Sequence, residues 1–255
     1  MTGTRDGALF LAMDTSTTRG SVAVGPPGDA LGRIFLERQG GHASELVPAV
    51  RAALEVAGVD LHEIAGILVG AGPGSFTGVR VAAATAKGLA RALEVPLWAF
   101  SSLAAGAATA DALSPTAAGV VPVEASLPYG GLDALPRCVL FDARGDRVYA
   151  ACYRFGKAGP PEVLMAPRAT DIAWILEAVE EHLGSVAFAG DGAQRHQDRI
   201  RDAGFPVMGL PAGSPTGDGL LRLLALDPDA PPLERPGRWE PEYLRASNAE
   251  RERSV

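Results

Sequence analysis

A chain of 255 residues with 47% hydrophobic side chains has material for one large domain or two small lobes around a real core. Its 30 acidic residues against 23 basic ones give a formal charge of −7, which argues against an autonomous nucleic-acid binder, because neutralising phosphates takes a basic surface. Cys138 and Cys152 are the only cysteines and form no CxxC, so thiolate metal chemistry is not expected and a reducing compartment fits. No apolar run is long enough for a bilayer and the first residues lack a leader pattern, so the expectation is a soluble, cytoplasmic protein without membrane contact.

Leu9–Met13 is an apolar run ending at Asp14; the turn TSTTRG and the run SVAVG complete a predicted pair of strands. Residues 33–37 (RIFLE) form a third. In HASELVPAVRAALEVAGVD, Leu46, Val50, Ala53, Leu54 and Ala57 recur at helical spacing. Ser44 is the predicted N-cap, Pro48 falls in the first turn, and Gly58 ends the helix. Residues 64–70 (IAGILVG) read as a strand buried on both faces, followed by the loop GAGPGSFTG and a helix from about Thr77 to Leu93. VPLWAF is another strand, with Ser101 or Ser102 capping the next helix.

The second half repeats this grammar: CVLFD ends at Asp142, ARGD turns, RVYAACYRF returns, a helix spans about Thr170–Leu183, and VAFAGDG runs into a Gly-x-Gly turn. The shared order predicts a duplicated α/β lobe. The Ala-, Gly- and Pro-rich stretch between the halves reads as helix remnant, linker and loop. The Pro- and charge-rich tail from Asp227 is expected to wrap the surface, its end disordered.

The glycine loop lacks GxxxxGK[ST], has no GxGxxG spacing, and carries Pro73 where a nucleophile elbow needs glycine before Ser75. A tight strand-to-helix connection is the favoured reading, although backbone N–H groups at a helix start attract anions. On the following helix, Arg80, Lys87 and Arg91 fall within a stripe of roughly 40°. Almost everything else there is small or apolar, more than one covered side accounts for. The sheet covers one side, and a neighbouring helix, from this chain or a partner, covers another. A second polypeptide is the expected outer cover, so that charge at Ala83 or Ala86 should weaken pairing without unfolding the lobe.

His42, His62, His182 and His196 show no HxxH or HxxxH, so no metal site is expected. Asp14, Asp142 and Asp191 close strands or turns, where either nucleotide contacts or plain Asx-turns and caps are open readings. If the chain were an ATP-binding enzyme, kinase-like or an ATPase, these three would surround a metal-nucleotide.

LAMDTSTTRGSVAV, HASELVPAV, ILVGAGPGSFTGVRVAAATAKGLA, SSLAA, FDARGDRVYAA, AGDGA and PEYLR together closely resemble the bacterial TsaB (YeaZ) family, across most of the chain and in order. That resemblance implies a duplicated actin-like, sugar-kinase and Hsp70-type α/β fold, ribonuclease H-like, in two lobes. The corresponding division is an N-terminal lobe over 1–103 and a C-terminal lobe over 104–255 with linker and surface tail. It implies a catalytically silent paralogue of the transferase subunit TsaD, a scaffold rather than an enzyme, pairing with TsaD or with itself through its two N-terminal-lobe helices. A TsaE ATPase joins the larger complex, which places threonylcarbamoyl on the adenosine beside the anticodon of tRNAs reading codons that begin with A. No peptidase is expected, since neither a histidine pair nor a serine elbow is present. Partner contacts are assigned to Leu46, Val50, Leu54, Phe76, Val79, Ala83, Ala86 and Ala90, and a vestigial nucleotide site to Asp14, Gly72, Gly74, Ser75, Asp142 and Asp191. No cofactor is expected, ATP or ADP being left open only at a subunit interface.

Overall fold

The computed structural model describes residues 7–36, 42–112, 135–156 and 158–244. The expected linker beyond Ala112 and the expected disordered end of the tail fall largely outside the described residues. The first sheet holds β1 (Leu9–Asp14), β2 (Gly20–Gly25), β3 (Gly32–Leu36), β4 (Ile64–Gly70) and β5 (Leu97–Phe100), in the order β3-β2-β1-β4-β5. β1, β2 and β3 pair antiparallel, whereas β1, β4 and β5 pair parallel. The second sheet holds β6 (Arg137–Asp142), β7 (Arg147–Arg154), β8 (Glu162–Asp171) and β9 (Ala187–Ala189), in the order β8-β7-β6-β9. Its antiparallel β6–β7–β8 meander and parallel β6–β9 pair repeat the first sheet's connectivity, so the duplication read in the sequence is a duplication of topology. A parallel bridge from Phe188 to Val207 stands where β5 lies in the first sheet.

Seven helices are described: α1 (His42–Ala57), α2 (Phe76–Leu93), α3 (Ser102–Ala112), α4 (Ile172–His182), α5 (Asp191–Arg195), α6 (Gln197–Asp202) and α7 (Gly217–Leu226). Strand alternation sorts the core. Leu11, Met13, Val22, Val24, Ile67 and Val69 face α1 and α2. Phe10, Ala12, Ala23 and Leu68 face the other way, toward α3 and α7, which also receive Val139, Phe141, Ala151 and Tyr153 from the second sheet. Cys138, Leu140, Val148 and Ala150 face outward onto α4 and α6. The result is five layers, with α3 and α7 between the two sheets. Those two cross closely: a Cβ on Gly219 would sit 2.2 Å from the Ala105 carbonyl oxygen, and Thr109 Oγ1 lies 2.8 Å from Thr216 Oγ1.

One expectation changes: α1 starts at His42, before Ser44, which places Pro48 in the second turn rather than the first. There Pro48, which is exposed, has no N–H to add to the helical ladder. The C-terminal stretch returns to the first sheet. α7 packs on β1, β2 and β4 of the first lobe. Beyond it the chain runs back along β5: Trp98 Nε1 donates to the Ala230 carbonyl at 2.9 Å, Leu233 N to Leu97 at 2.8 Å, and Glu242 N to Ala71 at 2.8 Å. This strap covers the open edge of β5, a row of backbone groups that would otherwise be free to pair with another chain.

Candidate functional site

Asp14 ends β1 fully buried, and its carboxylate is engaged within the chain. Oδ1 accepts from Ser16 N at 2.7 Å, an Asx-turn, and Oδ2 accepts from Ser102 Oγ at 2.6 Å. Ser102 Oγ in turn accepts from Gly72 N at 3.0 Å, and Ser102 N donates to the Gly72 carbonyl at 2.8 Å. Ser75 N donates to the Ser16 carbonyl at 2.6 Å, and Thr15 Oγ1 to the Gly78 carbonyl at 2.6 Å. The loop's glycines are thereby explained. A Cβ on Gly74 would stand 2.2 Å from the Ser16 carbonyl oxygen, and one on Gly78 1.9 Å from that of Thr15. The loop is glycine-rich because the β1–β2 turn lies against it, backbone on backbone. Ser75 caps α2, its Oγ accepting from Gly78 N at 3.3 Å.

The second lobe mirrors this. Asp142 Oδ1 accepts from Arg144 N at 2.8 Å, the same turn, and Oδ2 from Arg195 Nη1 at 3.2 Å. Asp191 Oδ1 accepts from Asp142 N at 3.1 Å and Gly192 N at 2.9 Å. Burial pushes the Asp191 carboxyl pKa up, against those backbone donors. The structure thus gathers Asp14, Gly72, Gly74 and Ser75 into one knot and Asp142 and Asp191 into another. Thr17, Thr18 and Arg19 meet Asp191, Gly213 and Ser214 across a cavity of about 50 Å³, room for a water or two rather than a nucleotide. The three aspartates, turned to their own backbone and side-chain partners, do not fit a metal-nucleotide. Among the described residues no group of three or more His, Cys, Asp or Glu could hold a metal, and no helix is long and apolar enough to cross a membrane.

Leu46, Val50, Leu54, Val79, Ala83, Ala86 and Ala90 are buried within the chain, on the faces α1 and α2 turn to the sheet and to each other. Charge at Ala83 or Ala86 would therefore unfold the lobe. Phe76 alone of that set is exposed, and it stacks with Tyr243 at 5.2 Å under the Arg80 guanidinium. The basic stripe holds the strap: Arg80 Nε donates to Tyr243 Oη at 3.0 Å, and Lys87 Nζ to the Trp239 carbonyl. What α2 leaves open, opposite its buried face, is a strip of small residues: Thr77, Ala84, Gly88 and Ala92. α1, packed against α2, exposes Val47 at 58% and Val56 at 62%, on opposite flanks of its buried face. The signal was present in the sequence, since Thr77, Ala84 and Gly88 share one side of the wheel.

Two sheets of like connectivity, each with an aspartate closing its first strand, and a helix pair sandwiched between them define the duplicated actin-like, sugar-kinase and Hsp70-type α/β fold. Comparison with known proteins narrows this. The family model described as "TsaD: tRNA N6-adenosine threonylcarbamoyltransferase" matches residues 37–160. The Bacillus subtilis "tRNA threonylcarbamoyladenosine biosynthesis protein TsaB" is 28% identical over 245 residues, covering 94% of this chain and 96% of that protein. The Haemophilus influenzae protein of the same name is 39% identical over 101 residues, 40% of this chain and 42% of its own length. A Pseudomonas aeruginosa crystal structure, described as an uncharacterized protein with similarity to peptidase YEAZ, superposes with a TM-score of 0.68 at 29% identity, covering 93% of this chain and all of that one. The chain is thus similar to TsaB (YeaZ) proteins over nearly its whole length.

Proposed function

We propose that this chain is a non-catalytic scaffold of tRNA threonylcarbamoyladenosine biosynthesis, pairing with the TsaD transferase subunit through the exposed sides of α1 and α2. The observation that carries this reading is the exposed strip of small residues Thr77, Ala84, Gly88 and Ala92 on α2, with α1 packed alongside. Small residues let a second pair of helices approach closely, completing a four-helix interface. The same self-complementary face serves a homodimer when the transferase is absent. The engaged aspartates and the narrow cleft support a structural rather than a catalytic role. ATP or ADP, if used, belongs to the interface with TsaD. A TsaE ATPase joins the assembly, tRNA is reached only through it, and the work is done in the cytoplasm.

The test is co-purification with the transferase subunit, followed by a tRNA modification assay with and without this chain. Stable pairing and modification that depends on the chain are expected. Full modification without it would remove the scaffold role.

A further inference from the structure

Cys138 and Cys152, the only cysteines of the chain, face each other across β6 and β7 as direct partners in the antiparallel register. Both are fully buried, and their sulfurs touch, Sγ to Sγ 2.6 Å. Directly opposed residues of an antiparallel pair have Cα atoms about 4.5–5.5 Å apart, within the span a disulfide bridges. Among the described strands, β8 alone lies beyond β7, an edge strand with partly exposed residues along its length. The β7–β8 ladder loses register on either side of Cys152, whose partner is Met165, while Ala150 pairs with Arg168 and Tyr153 with Val163. The dithiol therefore sits under the least regular pairing of its sheet, where local opening gives a small molecule access.

We propose that Cys138 and Cys152 are a redox modification site: a dithiol that hydrogen peroxide closes to an intrachain disulfide. The Cys152 thiolate attacks one peroxide oxygen, the O–O bond breaks, and the departing hydroxide takes a proton to become water, leaving a sulfenic acid. Cys138 sulfur then attacks Cys152 Sγ; the S–O bond breaks and the hydroxyl leaves as water with the proton of Cys138. Two thiols and one peroxide give one disulfide and two waters, the sulfurs losing the two electrons the peroxide gains. Burial, and then the facing Cys152, push the Cys138 thiol pKa up.

The test treats the full-length protein with hydrogen peroxide, alkylates it after unfolding, and weighs it intact. The expected product is lighter by two hydrogen atoms, has no alkylatable thiol, yields a peptide joining residues 138 and 152, and reverts with dithiothreitol. Cys138→Ala should instead trap Cys152 as a sulfenic acid reactive toward dimedone. Two alkylatable thiols persisting at exposures that already oxidise methionine would overturn the proposal. So would a wild-type product that gains oxygen without the cross-link.

Discussion

Asp14 Oδ2 and Ser102 Oγ lie 2.6 Å apart, and this hydrogen bond joins the end of β1 to the start of α3 beneath the glycine loop. Through Gly72 N, which donates to the same hydroxyl, the contact fixes the path of the chain into α2. Asp14 is a structural tie between β1, α3 and the glycine loop.

Ser102→Ala removes one partner from two buried groups, so it should destabilise the protein by about 1–3 kcal/mol. Urea unfolding reads this directly. Were Asp14 a ligand for a metal-nucleotide instead, the variant would keep its midpoint, and calorimetry with Mg-ATP would show tight binding that Asp14→Ala abolishes.

Glycines of α2 divide by environment. Gly78→Ala drives a methyl into the Thr15 carbonyl and should cost roughly 3 kcal/mol or more. Gly88→Ala meets nothing within 4 Å and should add about 0.5–1 kcal/mol through helix propensity. Thermal melts of the two variants should move in opposite directions.

His196 is only 8% exposed. Burial, then the neighbouring Arg195 and Arg199, hold its pKa below the usual 6.5, with Asp146 and Asp142 opposing. The unfolded chain takes up this proton near pH 6.5, the folded chain only at lower pH. The contribution is therefore present above pH 6.5 and lost as pH falls through the folded pKa. His196→Gln should flatten that part of the melting-temperature profile; an unchanged slope would contradict the assignment.

The strap gives a further test. Trp239 is half-buried against the core under α1 and α2, and its carbonyl holds Lys87. Trp239→Ala should lower stability by about 1–3 kcal/mol in chemical denaturation.

Much of this was legible in the sequence. The run Ile64–Gly70 is β4 as printed, because an apolar stretch bounded by glycine has few other uses. The aspartate-turn-strand repeat foretold the two lobes, because Asp14 and Asp142 form the same Asx-turn. β8 escaped, since Glu162–Asp171 is an edge strand whose partly exposed residues, Pro167 and Arg168 among them, carry no clean apolar alternation. α7 was not read in the sequence; the short segment Gly217–Leu226 opens on two glycines and an aspartate and is buried nearly all round. The apolar character of Leu46 or Ala86 says that something covers it, not whether that cover is the chain's own sheet. The strap's contact with α2 joins Arg80 to Tyr243 over 163 positions, a pairing no local pattern encodes.

The most direct measurement is the affinity of the purified chain for the transferase subunit, comparing wild type with Ala84→Glu. Ala84 is exposed, so the variant should fold with an unchanged melt. If its strip is the docking face, an unpaired charge buried there should weaken binding by roughly 100-fold. Binding as tight as wild type by a fully folded Ala84→Glu would place the interface elsewhere.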